Sequence, residues 1–113
     1  MIQMKVDKFF ERHPIKDMKI FDKNWGAICL NNGFVVSLFC NDNCDDGDGN
    51  LYDGCIEVCV DYFFHYDICG KPIWDKYYNY EWEGGFETEE DVIDTFDRLL
   101  KKYKNKQDYG KGE

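Results

Sequence analysis

Residues 25–41 read WGAICLNNGFVVSLFCN. Two apolar runs flank Asn31-Asn32-Gly33, and an Asn-Gly pair supplies the positive φ angles of a tight turn. The stretch predicts a β-hairpin with strands at 25–30 and 34–40. Phe34, Val36 and Leu38 alternate onto one face of its second strand.

Upstream, MKIFD at 18–22 reads as a short strand. Residues 2–12 place Ile2, Val6, Phe9 and Phe10 at helical spacing, which predicts a short amphipathic helix. His13-Pro14 ends it, because the residue before proline disfavours the α region. Downstream, NDNCDDGDGNLYDG at 41–54 reads as a loop, dense in Asp, Asn and Gly. The next strand, CIEVCVDYF at 55–63, turns Ile56, Val58, Val60 and Tyr62 to the core. Cys55, Glu57, Cys59 and Asp61 are expected to meet solvent or a partner. HYDICGKP is a connection, and IWDKYYNYEWE at 73–83 is an aromatic-rich strand that Gly84-Gly85 breaks. Simple alternation puts Trp74, Lys76, Tyr78, Tyr80 and Trp82 on one side of it. Tyr77, Asn79, Glu81 and Glu83 then share the other.

The last element is a helix. Val92, Phe96, Leu99 and Tyr103 are spaced 4, 3 and 4, and Ile93 and Leu100 widen the stripe. Thr88 can cap it, with Asp91 three residues on. Acids fill its first turns, and Arg98, Lys101, Lys102 and Lys104 its last, complementing the helix dipole. The fold class is therefore α+β: an antiparallel sheet of three to five strands packed against a C-terminal helix, with a short N-terminal helix. Residues 1–104 read as a single α+β domain and 105–113 as a flexible polar tail.

The chain has 113 residues and a net charge of -9. Aromatics at 18% rule out a disordered acidic tail. The apolar runs are too short for a membrane span, and no basic segment followed by an apolar one opens the sequence, which predicts no secretory signal. A pI near 4.6 argues against direct nucleic-acid binding and against an anionic membrane surface. The charge is uneven. Residues 24–97 hold two bases, Lys71 and Lys76, against seventeen acids, whereas both ends are net basic. A folded body normally intersperses both signs, so this pattern predicts an electronegative face for a cationic partner.

Six cysteines, Cys29, Cys40, Cys44, Cys55, Cys59 and Cys69, are expected to be free thiols in a reducing cytosol. Cys55 and Cys59 lie on one strand, roughly 13 Å apart, too far to ligate one zinc. Asp42, Cys44, Asp46, Gly47, Asp48 and Asp53 fall on calcium-loop positions. Cys at the third position, Asp in place of the final Glu, and the lack of flanking helices make a solvated turn the better reading. Neither a phosphate-cradling loop nor a nucleophile elbow is present. His13 and His65 read as surface or packing residues. Glu57 and Asp61 sit on what reads as an open strand face, where nothing separates their pKa values. Catalytic residues, metal ligands and cofactors are all expected to be none.

The run NNGFVVSLFC, followed by GCIEVCVDYF and GGFETEEDVIDTFDRLLKK, resembles small accessory proteins encoded by bacteriophages and mobile elements. The matching residues are Asn32, Gly33, Phe34, Val36 and Ser37, then Glu57 and Val58, then Thr88, Glu90 and Val92. Such proteins include the anti-CRISPR proteins, many of which mimic DNA and occupy the basic nucleic-acid channel or PAM-reading cleft of a Cas effector. The resemblance implies a non-enzymatic inhibitor, acting in the cytoplasm of a bacterial host on a basic protein partner, a Cas effector nuclease or complex. The expected contacts are Asp42, Asp45, Asp46, Asp48, Glu57, Asp61, Glu81 and Glu83, with Tyr77 as an aromatic contact. The alternative is an immunity protein that neutralises a basic toxin such as a nuclease. A calcium-dependent structural module is the third.

Overall fold

The Asn-Gly turn forms as expected, with one refinement. In the computed structural model only Gly33 takes a positive φ, of 95°, and the Leu30 N–H donates across the turn to the Phe34 carbonyl at 2.8 Å. The structure describes residues 4–41, 48–49 and 55–106, and the backbone alone of 44–45 and 51–52. The elements in chain order are α1 (Val6–Arg12), β1 (Lys19–Asp22), β2 (Trp25–Cys29), β3 (Phe34–Asn41), β4 (Cys44–Asp45), β5 (Leu51–Tyr52), β6 (Cys55–Phe63), β7 (Tyr77–Glu83) and α2 (Glu89–Lys104). The aromatic strand starts at Tyr77, four residues later than the sequence predicts. Within the stretch that reads as an acidic loop, β4 and β5 pair as a two-stranded antiparallel ladder, which the sequence does not predict.

Five strands form one antiparallel sheet in the order β1-β2-β3-β6-β7. Both helices cover one face. Phe34, Val36, Leu38, Ile56, Val58 and Val60 meet Val92, Phe96, Leu99 and Tyr103 there, all buried. The four helix residues are those of the 4, 3, 4 spacing. The Thr88 hydroxyl accepts the Asp91 N–H at 3.1 Å, so the predicted cap is in place. The Asn32 side-chain amide donates to the carbonyls of Tyr103 and Lys106, at 2.8 Å each. The hairpin turn thereby adds a side-chain donor to carbonyls at the C-terminal end of α2, where the helix leaves its last carbonyls without a full set of intrahelical partners. At the other end, Glu89 joins the two helices by accepting His13 Nε2 at 2.7 Å and pairing with Arg12 at 3.1 Å.

The opposite face departs from expectation. Cys55, Glu57, Cys59 and Asp61 do not lie on an open surface. Asp61 is only 1% exposed and Cys55 only 5%. The connection between β6 and β7 folds back over this face and seats Trp74 against Trp25 and Phe63, with ring centroids 5.0 and 4.7 Å away. Trp25, Ala27, Val35 and Phe63 form a second, smaller core beneath it. The Trp25 indole N–H donates to the Ser37 hydroxyl at 3.1 Å, which satisfies both polar groups where they are buried. Cys29, Cys40, Cys59 and Cys69 are free thiols, but Cys55 is disulfide-bonded, so the expectation of free thiols throughout fails there.

Candidate functional site

One irregularity in the ladder sets the site. Val60 pairs with Glu81, but its neighbour Asp61 pairs with Asn79, so Tyr80 is an extra residue on β7. Such a bulge flips every side chain beyond it relative to strict alternation. Tyr77 and Asn79 face away from the helices, opposite Phe63 and Asp61, and after the bulge Trp82 faces the same way, opposite Cys59. Glu81 and Glu83 turn instead to the helix face, opposite Val60 and Val58.

The result is a cavity of about 610 Å³ on the sheet face that the helices leave uncovered. Its floor is the β6 row Glu57, Cys59 and Asp61. Its walls are aromatic: Trp74, Tyr77, Trp82 and Phe39. Trp74, Tyr77 and Trp82 are 41%, 45% and 57% exposed, so three large rings rim one opening with much of their surface in water. Trp74 and Tyr77 stand edge to face at 5.0 Å, forming a corner.

The two carboxylates are held differently. Glu57 accepts the Trp82 indole N–H at 2.7 Å and the Asn41 side-chain amide at 2.8 Å, one bond to each oxygen. Asp61 accepts at Oδ1 from the Asn79 side-chain amide at 2.7 Å. Burial pushes the Asp61 carboxyl up to about 6, and the Asn79 bond works against that rise. The sequence reading that nothing distinguishes these carboxyls is therefore corrected. Burial, with the charges of Asp61 and Glu57 added, pushes the Cys59 thiol up to about 12. It stays protonated at neutral pH, which denies it the thiolate character a nucleophile or metal ligand needs. Among the described residues no Lys, Arg or His lines this cavity. None of their His, Cys, Asp and Glu side chains forms a group of three able to hold a metal ion.

The structure brings together three of the expected contacts, Glu57, Asp61 and Tyr77. It separates Glu81 and Glu83 from them. On the helix face, Glu81 accepts from Lys102 at 2.7 Å and Glu83 pairs with Arg98. Those two acids are committed to holding β7 against α2. Asp48 is exposed and Asp45 belongs to β4, while Asp42 and Asp46 lie outside the described residues. So does most of the calcium-loop match. The sequence pattern alone does not mark Trp74, Trp82, Asn79 or Phe39 as contacts. Strict alternation had put Trp82 across the strand from Tyr77, and no local signal marks the bulge.

No protein-family model, curated protein or solved structure matches the chain. No helix among the described residues is long and apolar enough to cross a membrane.

Proposed function

We propose that this protein is a non-enzymatic inhibitor that binds a basic protein partner through the sheet face bearing Glu57, Asp61 and Tyr77. The leading partner is the nucleic-acid-binding site of a Cas effector in a bacterial cytoplasm, as the anti-CRISPR resemblance implies. One observation carries the reading. A cavity floored by two carboxylates and rimmed by exposed Trp and Tyr is lined by no Lys, Arg or His among the described residues. Aromatic rings and carboxylates are the groups that hold Lys and Arg at protein interfaces.

The geometry narrows the mechanism. Glu81 and Glu83 already pair within the chain, so mimicry of phosphates by a long carboxylate array gives way to one concentrated site. The net charge of -9 then serves to steer the encounter. Titration against a purified Cas effector, with and without its nucleic acid, tests this. Binding that nucleic acid competes away, that weakens with salt, and that Tyr77→Ala abolishes supports the proposal. Binding indifferent to nucleic acid and to Tyr77→Ala overturns it. Binding to a basic nuclease toxin and not to Cas effectors overturns the Cas assignment in favour of the immunity reading.

A further inference from the structure

Asp61 poses a physical problem. It is 1% exposed, and among the described residues the one hydrogen bond its side chain accepts comes from a neutral amide, Asn79. Among the described residues no Lys, Arg or His stands beside it in the cavity it lines. A buried carboxylate normally has a cationic partner or several N–H donors, because losing water costs it more than one neutral hydrogen bond returns. Asn79 bonds Oδ1, and Oδ2 accepts nothing from the described residues.

The surroundings say what would satisfy it. At the Asp61 end, Tyr77 stacks on Phe63 at 5.4 Å and meets Trp74 edge to face, giving a corner of exposed ring surface beside the carboxylate. Ring faces attract cations. A small hydrated ion would gain little from such walls. A lysine ammonium would have to shed a tightly held hydration shell. A guanidinium is planar, weakly hydrated, stacks on rings and carries paired N–H donors for a carboxylate. At about 610 Å³ the cavity falls within the usual range for small-ligand sites and has room for the whole side chain.

We propose that this cavity is an arginine-capture pocket. A guanidinium from the partner seats against the Trp74–Tyr77 corner and donates to Asp61 Oδ2, with its alkyl stem lying over Cys59 toward Trp82. Glu57 and Asp61 stand four residues apart on one strand, roughly 13 Å, so a single guanidinium does not bridge them. Asp61 is the anchor. Glu57, already holding Trp82 and Asn41, fixes the far wall and adds its field. This deepens the partner-binding reading above and rests on it.

The test uses the full chain and a small probe, N-acetyl-arginine amide, followed by tryptophan fluorescence and by NMR of the indole and Asn79 side-chain signals. The lysine amide is the comparison. The expected result is saturable binding of the arginine probe, at least about tenfold weaker for the lysine probe and for Asp61→Asn, since a hydrogen bond to a charged group is at stake. Tyr77→Ala, at an exposed position, weakens it as well. Glu81→Gln, on the opposite face, leaves it unchanged. No saturable change, equal binding of both probes, or equal binding by Asp61→Asn overturns the pocket. A protein that binds its basic partner but not the probe refutes the pocket and keeps the partner reading. One that binds the probe but no basic protein does the reverse.

Discussion

The Asn79 side-chain amide donates to Asp61 Oδ1 at 2.7 Å across the β6–β7 ladder, one residue before β7 bulges at Tyr80. The same amide also lies 3.2 Å from the Glu81 carbonyl, on the far side of the bulge. One side chain thus braces the irregularity and supports the carboxylate that the irregularity places in a cavity. Backbone geometry, aromatic rim and buried charge at this site share a single local origin.

The first consequence is a pH dependence of stability. The Asp61 carboxyl titrates at about 6 in the folded chain, against about 3.9 when unfolded. Between these values the folded state binds the proton more tightly. Stability from this group is therefore fully present below pH 4 and is lost as pH rises through 6. Asp61→Asn keeps an acceptor for Asn79 and removes the charge. It should be more stable than the parent by about 2 kcal/mol above pH 7, allowing for water at the cavity mouth, and the gap should close toward pH 4. Urea midpoints from pH 4 to 8 measure this. A gap that does not change with pH would contradict the assignment.

Asn79 is expected to act through Asp61. Removing its amide takes away the interaction that favours the ionised carboxyl, so Asn79→Ala should move the Asp61 titration further above 6. It should also cost about 1 kcal/mol of stability, the usual worth of one hydrogen bond. Carboxyl chemical shifts followed against pH give the first, and denaturant melts the second. If the Asp61 titration midpoint stays where it was, the 2.7 Å contact is not holding the carboxylate.

The two faces of the sheet differed in how much the sequence revealed. The helix-covered face was legible because its signals are local. The apolar run around Asn32-Gly33, the alternation in 55–63 and the spacing of Val92, Phe96, Leu99 and Tyr103 each state a period that the structure keeps. The cavity face depends on two things no period encodes. One is the extra residue at Tyr80, which sends Trp82 to the side of Tyr77 and Glu81 to the side of the helices. The other is the return of residues 64–76 over the sheet, which brings Trp74 to Trp25 across a long stretch of chain. Glu57, Asp61 and Tyr77 are legible all the same, because carboxylates on one strand face and an aromatic segment are visible as composition. Their convergence is not.

Cysteine chemistry should be graded by burial. Cys69 is exposed, whereas burial raises the Cys29 thiol and holds Cys59 near 12. Iodoacetamide at pH 8 should label Cys69 first and leave Cys59 unmodified in the folded chain. Under denaturing conditions without reductant, the thiol count should fall short of six, because Cys55 is disulfide-bonded, and reach six once reductant is added. Mass mapping of the labelled peptides checks both. Rapid labelling of Cys59 would mean that its thiol ionises far more readily than its burial beside Asp61 and Glu57 allows.

Gly33 shapes the hairpin turn that Asn32 ties to the C-terminal helix. Its φ of +95° is one that a side-chain-bearing residue rarely adopts, and a Cβ there would meet Tyr62 Cε2 at 2.3 Å and Cζ at 2.9 Å. Tyr62 packs edge-on against Phe34 at 5.7 Å, at the margin of the main core, so its ring cannot move without disturbing that contact. Gly33→Ala should therefore cost about 2 kcal/mol or more, well beyond the backbone term alone. The damage should also spread in a defined direction. Asn32 holds the carbonyls of Tyr103 and Lys106, so a displaced turn releases the last turn of α2. Amide exchange should rise in residues 101–104 while the first turns of α2, capped by Thr88, keep their protection. Asn32→Ala should reproduce the fraying of the helix end with a smaller loss of global stability, since it leaves φ at Gly33 and the Tyr62 ring undisturbed. Equal protection of the helix end in all three proteins would show that the clasp does not hold the helix.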